Sequence, residues 1–289
     1  MLKTTIGDQV WLISQPDHAA VSGYLIAHWG NREFAKPGHF ADAQQPERLR
    51  AETIFGVAEH DNGWWEWEAD PEIDPSDGLP LHLTGIAQQQ SLERWRLGVP
   101  RFQASHPYAA LLISFHAYWI YAHRCDAGAD PVFRHPLFGA PDTTSQLEGE
   151  ELAGMSSFLA GQKETQRKLI ARLRHEPGFA AACEPRHLHP HVRLLQLADA
   201  LSLALCFGGQ QPLSLAEIPR QSWEDRVALS LSPASRNRIV CRPYPFDEDP
   251  LKVSLRARVV RGPTRPAAEF HGWWHSIPRQ YLHFAYSSG

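Results

Sequence analysis

Hydrophobic spacing divides the chain into two stretches of different character. Apolar positions recur at helical intervals between about residues 15 and 208. Beyond residue 210, β-branched and aromatic residues alternate with polar ones. Residues 9–13 (Gln-Val-Trp-Leu-Ile) predict a short strand, stopped by Pro16. Asp17 then stands where an N-cap is wanted for a helix over residues 18–29, with Gly30 just after it. Pro37, Gly38 and Pro46 make residues 32–46 a loop. A second helix starts near Glu47, carries Ala51, Ile54, Val57 and Ala58 at helical spacing, and ends near His60-Asp61, ahead of Gly63. Residues 62–80 form a long irregular segment rich in Trp, Asp and Pro, of a kind usually kept for function. Helices follow over residues 83–98 and 107–124, Pro107 suiting a first turn. Residues 126–145 are a second Pro/Gly loop, and 148–175 is the longest helical pattern. A further helix opens at Pro190 and closes near Phe207 on Gly208-Gly209. Residues 238–243, 251–260 and 281–286 then read as strands. The pattern predicts a helical body with an N-terminal strand over 1–209 and a β extension over 210–289 packed on it. The class is mainly α, with a small C-terminal antiparallel β element (α+β overall).

Composition narrows the class without naming it. The 289 residues are 43% hydrophobic and 21% charged, which is ordinary globular usage. At a net charge of −4 no strongly basic balance points to a nucleic-acid polymer, and no polybasic run points to an anionic membrane, so neither partner is expected. No apolar stretch approaches the ~20 residues of a membrane span. Residues 1–15 lack a secretory layout, so a soluble, cytoplasmic protein is expected. The four cysteines, Cys125, Cys183, Cys206 and Cys241, never fall in a C-x-x-C spacing, which removes the zinc ribbon and the redox pair. No P-loop, nucleophile elbow, dinucleotide fingerprint or H-E-x-x-H occurs. The 16 histidines change the picture, because imidazole is the commonest metal ligand and the usual acid–base group near neutral pH.

The sharpest local signal is His60-Asp61 at a helix end. An adjacent imidazole and carboxylate reach one ion where the backbone leaves the regular helix, and together they suit Mn, Fe, Zn or Ni. Read blandly, the pair is a solvated helix end. His18 opens the first helix, and His116 sits among large apolar neighbours in Leu112-Ile-Ser-Phe-His-Ala-Tyr-Trp119. Asp199 lies in a helix that is apolar almost all round, where a carboxylate is costly unless it is paired or ligates a metal. Otherwise it shares a polar stripe with Gln196 and Ser202. His28 falls on roughly the face of His18, and His123 on that of His116. His187, His189 and His191 alternate around Pro190, as a metal site or as surface. Trp64, Trp65 and Trp67 form either an aromatic wall for a ring-bearing ligand or a plug for the long loop. Glu66 and Glu68 are either acid–base groups or solvated charges.

The order His … His-Asp … His … Asp on successive helices resembles the HD-domain superfamily of metal-dependent phosphohydrolases. The likeness covers about residues 15–208 and includes the Leu-Ala-Asp199-Ala-Leu-Ser context. It implies an HD-domain-like helical bundle in which His18, His60, Asp61 and Asp199 bind one divalent metal, and in which Asp61 also orients the attacking water. The implied activity is hydrolysis of a phosphate ester on a small-molecule substrate, nucleotides included, with Trp64 and Trp65 against the substrate. Bimetallic members add two histidines, for which His116 stands in place; His123, near the helix end beside Arg124, reads rather as a surface histidine. Many HD enzymes follow the pair with x-Gly-Lys; here Gly63 matches and Trp64 replaces the lysine. Two rivals stay open: an HD-type di-iron oxygenase, and a small-molecule binding protein without turnover. The C-terminal strands either cap the pocket or join two copies in a homodimer. A wider likeness runs to an uncharacterised bacterial family known only as a domain of unknown function. It is carried by Gln15-Pro-Asp-His-Ala-Ala-Val-Ser-Gly23, His28-Trp-Gly30, His60-Asp-Asn-Gly-Trp64 and Pro243-Tyr-Pro-Phe246.

Overall fold

The chain begins with a hairpin, β1 (Leu2–Ile6) and β2 (Gln9–Ile13), closed by a two-residue loop in which Gly7 supplies the positive φ. A computed structural model describes residues 1–126, 128–137, 147–235, 237–261 and 270–289. Helix α1 (Gln15–Ala27) follows directly. Ser14, not Asp17, is its cap: its Oγ accepts from the Asp17 N–H at 3.1 Å, and Pro16 occupies the first turn instead of merely ending the strand. Next come α2 (Pro46–Ala58), a 3-10 turn at Asn62–Trp64, α3 (Trp65–Ala69), α4 (Gln88–Arg101), α5 (Pro107–Cys125), α6 (Gly149–Arg174) and α7 (Pro185–Cys206). Helix α7 starts five residues before Pro190 and is buried on nearly every side, as its apolar composition requires. It runs through the middle of the main core, against α1 and α5.

Five further strands, β3 (Leu213–Pro219), β4 (Arg226–Ser235), β5 (Arg238–Arg242), β6 (Leu251–Arg261) and β7 (Arg279–Ser287), build one seven-stranded sheet with the hairpin. A short helix, α8 (Phe270–Ser276), precedes β7. The order is β1-β2-β6-β7-β5-β4-β3, antiparallel except for the parallel β5/β7 pair. Along β6, Leu251, Val253, Leu255 and Ala257 alternate inward, and the Tyr286 hydroxyl donates to Leu201 O of α7 at 2.8 Å.

The expected mainly α bundle with a minor antiparallel element is therefore corrected. The described residues are 48% helical and 21% strand, and their seven strands form a curled mixed sheet, a half-barrel. The physical reason is long-range pairing. Strand β2 bonds to β6 across the whole sequence, with Trp11 opposite Val259, so the N-terminal strand is part of the sheet and not an isolated strand. Two strands, β3 and β4, were also missed. Pro233 inside β4 and the register shift between Leu215 and Ile218 break their alternation. Parts of the second Pro/Gly loop, residue 127 and residues 138–145, lie outside the described residues. Among the described residues, no helix is long and apolar enough to cross a membrane.

Candidate metal centre

Four elements deliver the polar side chains of the interior. Helix α1 turns His18 inward beside Ser22, α5 contributes His116, and α7 contributes Asp199 and Ser202. The fourth is the break after α2. Glu59 (ψ 14°) and Asp61 (φ −101°, ψ 21°) leave the helical region, and the chain tightens into the 3-10 turn at Asn62–Trp64. That break lets consecutive side chains, His60 and Asp61, face one point. Gly63 makes the turn fit: a Cβ there would lie 2.0 Å from the Arg94 carbonyl oxygen on α4.

All of these groups are buried. His18 Nε2 lies 2.8 Å from Asp61 Oδ2, and His60 Nε2 lies 3.6 Å from the same oxygen. Asp199 Oδ1 faces His18 Nδ1 at 3.6 Å and His60 Nε2 at 3.7 Å. Its Oδ2 faces His116 Nε2 at 3.5 Å and His135 Nε2 at 3.0 Å. Metal–ligand bonds of about 2.0–2.2 Å give coordination edges of roughly 3–3.5 Å, and these donors lie 2.8–3.7 Å apart, at and slightly beyond that range. His18, His60 and Asp199 each offer an atom within 4.8 Å of the others.

Hydrogen bonds orient the rings. His60 Nδ1–H donates to Val57 O at 2.8 Å, which turns the Nε2 lone pair toward the carboxylates. Ser202 Oγ donates to Asp199 O, so it accepts from His18 Nδ1–H at 3.0 Å. A lone pair on His18 Nε2 then faces Asp61 Oδ2, an arrangement that calls for a cation or proton between them. His60 Nε2 and Asp199 Oδ1 have no hydrogen-bond partner, although both are fully enclosed. Buried polar atoms are normally paired, so the donor set fits a divalent cation.

The electrostatics agree with that demand for positive charge. Burial opposes a proton on His60, yet Asp61 and Asp199 outweigh it and push the imidazole up to about 9. Burial opposes ionisation of Asp199, but His135 and His60 hold it well below the usual carboxylate range. His116 is held well below its ordinary value, first by burial and then by the charge on His60.

His18, Asp61, His116 and Asp199 open onto a cavity of about 560 Å³, whose wall includes Trp64, Trp95 and Tyr121. This is an ordinary size for a small-molecule site. Trp64 is in the wall as expected, but Trp65 is not. Its ring is 39% exposed, carries the Arg101 guanidinium at 4.6 Å, and borders a separate cavity with Asp17, Lys252 and Arg256. The other candidates also lie elsewhere. His28 bonds Asp247 and His123 stacks on Trp119. His191 bonds the Tyr108 hydroxyl and the Gly38 N–H. Glu66 pairs with Arg101, and Glu68 binds the Met1 ammonium at 2.9 Å. All four cysteines are free.

Sequence reasoning missed His135. Leu137 N–H donates to His135 Nδ1 at 3.2 Å, so the proton sits on Nε2, which lies 3.0 Å from Asp199 Oδ2. Nothing local marks it, since Arg134-His135-Pro136 reads as loop. Ser202 carried a weak signal, one turn beyond Asp199 on the same helix. Among family models, one described as Protein of unknown function (DUF3891) matches residues 1–262. No curated protein and no solved structure matches the chain.

Proposed function

The chain belongs to the DUF3891 family, and from that premise we propose that it is a metal-dependent hydrolase of a phosphate ester on a small molecule, with nucleotides among the candidates. The observation that carries this reading is the pair of buried carboxylates among histidines lining a cavity of about 560 Å³. His18, His60, Asp61 and Asp199 would hold a divalent ion of the Mn, Fe, Zn or Ni group. His116 faces Asp199 from the other side. A bound ion supplies Lewis acidity and a water of lowered pKa.

The chain's own groups do the rest. Asp61 borders both the cluster and the cavity, so its carboxylate would orient a water on the cavity side. His135 and Ser202 keep Asp199 and His18 in register. Trp64 and Trp95 give a flat apolar wall against the body of the substrate and exclude water from it. The HD resemblance enters as a ligand pattern: first histidine, His-Asp pair and late helical aspartate converge, and the replaced lysine leaves phosphate recognition to another residue.

A second reading, di-iron oxygen chemistry, is favoured by one feature. Asp199 shows one oxygen to His18 and His60 and the other to His116 and His135, as a bridging carboxylate would. The proton on His135 Nε2 weighs against it.

The test is metal content of untagged protein reconstituted with Mn, Fe or Zn, beside His60→Ala and Asp199→Asn. It is paired with turnover of p-nitrophenyl phosphate and bis(p-nitrophenyl) phosphate. One ion per chain, lost in both folded variants together with turnover, supports the hydrolase. Two irons per chain support the second reading. No metal in the reconstituted parent overturns both and leaves a binding protein.

A further inference from the structure

Arg124 lies in the last turn of α5 and lines the cavity that the metal donors open onto. It also lines an adjoining cavity of about 380 Å³ that shares Leu83, Thr84, Ser91 and Tyr121 with the first. Arg124 therefore stands where the two spaces meet. It is half-buried, and among the described residues no carboxylate or carbonyl engages its guanidinium. The first cavity's wall is mostly apolar, and the adjoining one also carries Gln88, Ser91 and Glu151; a guanidinium at their junction that bonds no oxyanion among the described residues needs a reason, because such groups normally sit in forked bonds to oxyanions.

The position relative to the cluster is set by the helix. Arg124 follows His116 by eight residues, a rise of about 12 Å along the axis, and long helical side chains lean back toward the N-terminus. The guanidinium is therefore within about 12 Å of His116, on the same cavity. Tyr121 lies between the two charged ends. Burial pushes its phenol up to about 12, Arg124 lowers it, and Asp61 raises it.

Resting on the hydrolase reading above, we infer that Arg124 binds an oxyanion, phosphate or carboxylate, at the end of the substrate remote from the reacting bond. The substrate is then a small molecule with three parts. A phosphoester lies at the metal donors, an apolar or flat middle lies against Trp64, Trp95 and Ile120, and an anionic group lies at Arg124. This assigns to α5 the anion recognition that Trp64, in place of a lysine after Gly63, does not supply.

The experiment separates anion binding from metal binding. Chelator-treated protein is titrated with inorganic phosphate and, separately, with acetate, following tryptophan fluorescence. Parent, Arg124→Met and Arg124→Lys are compared, and metal stoichiometry after reconstitution is measured on each. The expected result is binding of one or both probes by the parent, at least tenfold weaker binding in Arg124→Met, recovery to within about threefold in Arg124→Lys, and unchanged metal stoichiometry. The tighter probe identifies the group as phosphate or carboxylate. Two results overturn the inference. One is no binding of either probe by the parent. The other is equal affinity in Arg124→Met, which places the anion elsewhere, such as beside Lys252, Arg256 and Arg279 of the separate cavity. A parent that takes no metal yet binds anion through Arg124 overturns only the hydrolase reading.

Discussion

Raising the pH of the metal-free protein from 6.5 to 9 is expected to destabilise it. His60 has an ordinary value of 6.5 and stands at about 9 in the fold: burial opposes its charge, but Asp61 and Asp199 more than offset that cost. The folded state thus holds this proton more tightly than the unfolded chain does. Below pH 6.5 both states carry it and the full stabilisation is present. Between 6.5 and 9 the unfolded chain has released it while the folded state retains it, so stability falls as pH rises and the contribution is gone above about 9. At 1.4 kcal/mol per unit, a shift of about 2.5 units amounts to on the order of 3 kcal/mol. For a chain of this size that is roughly 5–10 °C in Tm. The assay is thermal melting in chelator at half-unit steps, with His60→Gln as the control for all other titrating groups. The parent should lose that much more than the variant across the window, and saturating metal should remove the difference by displacing the proton. A chelated parent whose Tm stays level with the control from pH 6.5 to 9 would refute the placement of His60 between two carboxylates.

Three further outcomes follow from the same geometry. His135→Ala should weaken metal affinity by about 10–100-fold through loss of the bond that orients Asp199, read by competition with a chromophoric chelator. Gly63→Ala should destabilise by about 1–3 kcal/mol, because its Cβ meets the Arg94 carbonyl at 2.0 Å and the turn carrying Asp61 must move; denaturant melts measure it, and an unchanged midpoint would sink the argument. Trp64→Ala should reduce the fluorescence response to a ligand in the cavity beside His18 and Asp199, leaving the part due to Trp95, while Trp65→Ala should leave it intact, because Trp64 and Trp95 are in that wall and Trp65 is not.

Much of the helical part was legible because it depends on local repeats. The spacing of Ala51, Ile54 and Val57, the apolar surround of His116, and the near-complete apolarity around Asp199 each follow from one segment meeting one environment. A carboxylate in such a helix already signals a buried partner, and the break after α2 already signals that His60 and Asp61 face together. Trp65 was misplaced because neighbours in sequence need not share a wall. At the start of α3, Trp64 turns into the interior and Trp65 turns out to Arg101.

What the sequence by itself determined is the longer helices between residues 15 and 208, the breaks between them, and the apolar setting of His116 and Asp199 within theirs; it did not show α3 or α8. Tertiary structure alone decided that the N-terminal hairpin completes a sheet begun after residue 210, that His135 reaches Asp199 from a loop, and that Arg124 shares a cavity with His18, Asp61, His116 and Asp199. The physical reason is range. Helical periodicity is written within a few turns of one segment. Strand partners, loop-borne hydrogen bonds and cavity walls join residues tens to hundreds of positions apart, and only the packed chain brings them together.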